Sequence, residues 1–78
     1  MKSKIVSMFT DHYNDLMSVN SLEELKQELF QIIKKANENT MISRKITLSV
    51  INSSNLLNLQ KYVTNSMLKY EGLGVSKF

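Results

Sequence analysis

Cysteine is absent from this 78-residue chain, as are proline and tryptophan, and it has only two glycines and one histidine. Each scarcity excludes something. Without cysteine there is no disulfide and no thiolate metal site, so a domain this small must be held by helix packing, by a partner or by self-association. The same absence fits a reducing compartment. No apolar run approaches the ~20 residues that span a bilayer. The segment Met1-Lys2-Ser3-Lys4-Ile5-Val6 opens like a signal peptide, but Thr10, Asp11 and His12 break the apolar stretch that should follow. Export is therefore not expected, and a cytoplasmic location is.

The lone histidine and the two glycines limit the chemistry further. His12 sits on the apolar face of the first helical segment and reads as a packing residue. Asp15, at i+3, would offer it a carboxylate. No cysteine nucleophile and no glycine-flanked serine accompany the pair, so no catalytic residue is assigned and an enzyme is not expected. Glu23, Glu24 and Glu28 do not follow a calcium-binding loop with its central glycine, so no metal and no cofactor are expected either. Gly72 and Gly74, in Glu71-Gly72-Leu73-Gly74-Val75, follow a helix instead of preceding one, where the dipole has the wrong sign for a phosphate. They read as a helix stop, with Leu73 folding back onto Leu68.

What is present is mostly lysine, asparagine and aliphatic side chains. Nine lysines stand against one arginine, with eight asparagines, a bias that AT-rich coding produces in phages and low-GC bacteria. The net charge of +3 is unevenly placed: residues 1–39 carry −1 and residues 40–78 carry +4. One domain covering residues 1–78 is expected, burying only roughly 60–65% of the surface its unfolded chain exposes.

Helical spacing predicts a first helix over about 4–17, through Ile5, Met8, Phe9, His12, Tyr13, Leu16 and Met17. A second is predicted over about 21–37, opened by the capping box Ser21 and Glu24 and carrying the stripe Leu22, Leu25, Leu29, Ile32, Ile33 and Ala36. Residues Ile46-Thr47-Leu48-Ser49-Val50 then alternate apolar with polar and are rich in β-branched side chains, which predicts a strand over about 45–51. Asn52-Ser53-Ser54-Asn55 offers caps for a third helix over about 54–71 with the stripe Leu56, Leu59, Val63, Met67 and Tyr70, and Val75–Phe78 could form a short second strand. The expected class is therefore α+β in the order α-α-β-α, with a small helical bundle as the alternative. One strand needs a partner for its edge: either Val75–Phe78 pairs with it in parallel through a right-handed crossover, or a second chain supplies the strand, which motivates homodimerisation through residues 45–51.

Two sets of side chains exceed what one buried stripe requires. Phe30, Leu57, Tyr62 and Leu68 flank the helical stripes, and Leu48 and Val50 lie on the expected strand. Together they suggest a surface for a protein partner. Asn58, Lys61, Asn65 and Lys69 share a polar face of the last helix, which Arg44 and Lys45 would extend. That set fits nucleic acid, since Asn and Lys contact base edges and phosphates from a groove. The leading expectation is a small regulatory or adaptor protein that acts by binding a protein, with inhibition of a larger target as one form of that role. Nucleic-acid binding is the alternative.

Overall fold

The computed structural model describes residues 3–70, and every regular element in them is an α-helix. The chain forms α1 (Lys4–Asp11), α2 (Tyr13–Met17), α3 (Leu22–Ala36), α4 (Met41–Asn52) and α5 (Leu56–Tyr70). The fold is thus a small helical bundle, and the α+β expectation is overturned. The glycine stop at Gly72 and the strand expected at Val75–Phe78 lie outside the described residues.

The decisive correction concerns residues 45–51, which lie inside α4. Ile46, Leu48 and Val50 alternate as a strand would, yet Ile46 and Val50 are also one helical turn apart. Together with Ser43 they form a buried row at i, i+3 and i+7, while Leu48 points away and is 59% exposed. The start of α4 tips the balance. Thr40 Oγ1 accepts from the Ser43 amide at 3.1 Å, and Ser43 Oγ accepts from the Thr40 amide at 3.1 Å. This reciprocal capping box satisfies donors that a nascent helix leaves open. Thr47 Oγ1 donates to the Ser43 carbonyl at 2.8 Å, which accommodates a β-branched residue inside a helix. With its backbone paired internally, this segment has no strand edge to satisfy, and that reason for a homodimer falls away.

The first expected helix is kinked at His12, whose backbone (φ −110°, ψ 17°) separates α1 from α2. Main-chain bonds from His12 N to Met8 O and from Leu16 N to His12 O, each 3.0 Å, carry the chain across the break. The kink turns His12 out to solvent, so it is exposed instead of packed. The second expected helix is present as α3 almost as drawn. Ser21 Oγ accepts from the Glu24 amide at 3.1 Å, and Asn37 ends the helix in the left-handed region (φ 49°). The last helix, α5, is capped by Asn55 Oδ1, which accepts from the Asn58 amide at 3.0 Å.

Helix α3 is the spine, packing against α1, α2, α4 and α5, while α5 also lies along α1. Phe9, Ile5, Leu16, Leu25, Leu29, Ile46, Val50, Leu59 and Val63 meet in one core and are almost completely buried. Polar bonds set the register around that core. The side-chain amide of Gln60 donates to the carbonyls of Leu16 (3.4 Å) and Met17 (3.3 Å), and the hydroxyls of Tyr13 and Thr64 are 3.2 Å apart. Lys26 Nζ donates to the Ile51 carbonyl at 3.2 Å, so α4 runs antiparallel to α3. No helix among the described residues is long and apolar enough to cross a membrane.

A further tie links the start of the chain to the α3–α4 turn. Glu38 accepts from the Ser3 hydroxyl (2.9 Å) and from the amides of Lys4 (3.1 Å) and Ile5 (3.3 Å), capping α1 from 33 to 35 residues away. Burial alone would raise its carboxyl pKa. The Lys4 amide, the Ser3 hydroxyl, the Ile5 amide and the Lys4 charge outweigh that and hold it below the ordinary value. The capping carboxylate also meets the positive end of the α1 dipole.

Candidate interaction surface

Of the side chains expected to bind a protein, the structure exposes some and buries one. Leu57 (60%), Leu48 (59%), Leu68 (41%) and Phe30 (38%) all reach solvent. Tyr62 is half-buried against the core. Val50 is fully buried and belongs to the core, a consequence of helical spacing replacing strand alternation. Met41, whose flexible thioether marks it in the sequence as adaptable surface, is 69% exposed, and Ile51, placed at the end of the expected strand, is 53% exposed. Once residues 41–52 are read at ~100° per residue, both fall beside Leu48, so the signal was present but hidden by the choice of period.

These side chains are not spread evenly. Met41, Leu48 and Ile51 share one arc of α4, with Arg44 and Lys45 between and beside them, all exposed. The inner arc of the same helix (Ser43, Ile46, Val50) packs toward α3. The register set by Lys26 and Ile51 also brings Phe30, one turn further along α3, level with Thr47. On α5 the exposed leucines stand apart. Leu57 and Leu68 are separated by three helical turns, with the exposed Lys61 and Asn65 between them. Neither helix carries an unbroken apolar stripe, but α4 gathers more of these side chains: Leu48 and Ile51 are neighbours one turn apart, and Met41 shares their arc two turns away, beyond Arg44 and Lys45.

The expected nucleic-acid set divides in a similar way. Asn58, Lys61, Asn65 and Lys69 are exposed on one face of α5, and the Lys69 ammonium lies 5.3 Å from the Tyr70 ring centroid. Arg44 and Lys45 are exposed on α4, but α4 and α5 make no extensive contact with each other. The two groups occupy separate helix surfaces and do not form one packed stripe.

The recesses are small and polar. One of about 270 Å³ is lined by Asp15, Ser18, Val19, Glu24 and Glu28, and a lesser one by His12, Glu28, Gln31, Ile32 and Lys35. The two recesses meet at Glu28, and among the described residues no hydrogen bond or ion pair joins His12 to Asp15. Among the described residues no group of three or more His, Cys, Asp and Glu side chains converges as a metal site would require. Comparison with known proteins finds no matching family model, no similar curated protein and no similar solved structure.

Proposed function

We propose that the protein is a small non-enzymatic regulator or adaptor that acts by binding another protein, with α4 as the principal contact surface. The observation that carries this reading is the run of Met41, Leu48 and Ile51, each more than half exposed, on a helix whose inner arc already completes the core. An isolated surface leucine is ordinary, but three large apolar side chains on one arc of a helix support a contact surface. Unbranched Met41 can also adapt its shape to what it meets. Leu57, Leu68 and Phe30 would supply secondary contacts.

The test is affinity capture with the wild-type chain and with Leu48→Glu, each with and without nuclease. A specific protein retained by the wild type after nuclease and lost by Leu48→Glu supports the reading. Retention that depends on nucleic acid, or that ignores Leu48, counts against it. The nucleic-acid alternative would draw on Asn58, Lys61, Asn65 and Lys69, and predicts binding that strengthens steeply as salt falls.

A further inference from the structure

Three features are candidates for more specific assignment: the acidic recess at Asp15, Glu24 and Glu28, the polar row on α5, and the outer face of α4. The acidic recess gathers like charges, but no three of its carboxylates converge on one point. The α5 row is what any solvated helix face shows. The α4 face differs because its chemistry is specific in both charge and spacing.

We propose that the outer face of α4 receives an acidic amphipathic helix from the partner protein. This inference rests on the protein-binding reading above and names the partner's chemistry. Met41, Leu48 and Ile51 take the partner's apolar stripe, and Arg44 and Lys45 meet carboxylates on its flanks. From Met41 to Ile51 the stripe is about 15 Å long at 1.5 Å per residue. That length matches roughly three turns of a docked helix, enough to hold anchors at i, i+3 or i+4, and i+7, which span about 10 Å.

Charge selects the occupant. The acidic side chains of the described residues (Asp11, Asp15, Glu23, Glu24, Glu28 and Glu38) all precede residue 39. The segment from residue 40 to residue 70 carries Arg44, Lys45, Lys61 and Lys69 and no carboxylate at all. Arg44 and Lys45 form no ion pair within the described residues, so their charge is available to a partner. Complementary charge steers encounter and rejects wrong partners.

Symmetric pairing of two α4 helices fits poorly, because it would set Arg44 and Lys45 of each against a face that has no acid. Nucleic acid fits poorly too. Three large apolar side chains flanked by only two cations gain little against a phosphate backbone, whose recognition is dominated by charge neutralisation.

The experiment selects peptides of ~16 residues from a randomised display library on the full chain, a length that allows a docked helix of several turns. Enriched peptides are then titrated by fluorescence anisotropy against wild type, Leu48→Glu, Arg44→Glu/Lys45→Glu and Leu57→Lys. Circular dichroism of each variant verifies folding, and Leu48→Glu should remain helical because the new carboxylate lies at i+4 from Arg44 and i+3 from Lys45. The expected peptides carry apolar residues at i, i+3 or i+4, and i+7 with Asp or Glu beside them. Binding should weaken about tenfold or more in both α4 variants, in line with loss of a central anchor, should weaken with added salt, and should survive Leu57→Lys.

Enriched peptides with no acidic excess, or binding indifferent to Leu48→Glu, would overturn the inference. Binding lost in Leu57→Lys but kept in Leu48→Glu would move the site to α5, overturning this inference while leaving the protein-binding reading standing. If duplex DNA or phosphatidylserine vesicles bind through Arg44 and Lys45 and no peptide is enriched, both fall.

Discussion

Alanine substitutions along α4 separate the helix from the strand that its sequence imitates. In a strand, Ile46, Leu48 and Val50 would point to one face and respond alike. In the helix, Ile46 and Val50 are fully buried and Leu48 is 59% exposed. Truncating Ile46 to alanine in a closed core should cost about 3 kcal/mol, and Val50 to alanine, which removes less volume, about 2 kcal/mol. Leu48→Ala loses little packing and gains slightly in helix propensity, so its change should stay within about 0.5 kcal/mol. A domain of this size has a total stability of roughly 4–12 kcal/mol, so the difference is large on its own scale. Urea unfolding followed by circular dichroism reads it directly, with the slope unchanged if only native packing is affected. In thermal melts, Val50→Ala should lower the midpoint by roughly 8–16 °C while Leu48→Ala barely moves it. A Leu48→Ala variant as unstable as Val50→Ala would refute the helical placement of this segment, and with it the exposed stripe.

Glu38 supplies a pH-dependent prediction. Its folded-state pKa is lowered, so its contribution is complete above the ordinary value of 4.5 and is lost as pH falls through and below it. Denaturant titrations from pH 7 down to pH 3 should show a fall in stability that is smaller in Glu38→Gln, and Glu38→Ala should cost about 1 kcal/mol at neutral pH, as other lost caps do. Asn37→Ala should destabilise by about 1 kcal/mol, since alanine pays for the left-handed conformation that asparagine tolerates (φ 49°). Calorimetry would check it, with Asn37→Gly as the variant that should not be harmed. Leu57→Lys, at a site 60% exposed, should leave helicity intact and change stability by less than about 0.5 kcal/mol. If its urea midpoint falls as far as that of Val50→Ala, Leu57 belongs to the core and not to the surface.

The sequence by itself determined most of α3 and α5 and much of the core. In α3 the cap at Ser21, the acids Glu23 and Glu24, the stripe from Leu25 to Ala36 and the closing lysines all point to one conformation, and local agreement of that kind leaves little for tertiary context to change. Leu59, Val63 and Met67 were legible for the same reason. The exposed candidates Leu57, Leu68 and Phe30 could be named because they fall outside those stripes.

The sequence misled at α4, where a single run of residues satisfies two periods at once. β-branched Ile46, Thr47 and Val50 favour a strand locally. The Thr40–Ser43 cap and a place for Ile46 and Val50 against α3 make the helix win. Interactions between distant segments were out of reach altogether. Nothing in the linear pattern says that Glu38 caps α1, that Gln60 fastens the end of α2, or that a kink turns His12 outward. Those contacts depend on how helices are placed in space, and periodicity fixes only which face of each helix turns inward. The exposed set of Met41, Leu48 and Ile51 belongs with them: its residues were always in view, but only the packing of α4 on α3 decided which side of that helix was left exposed.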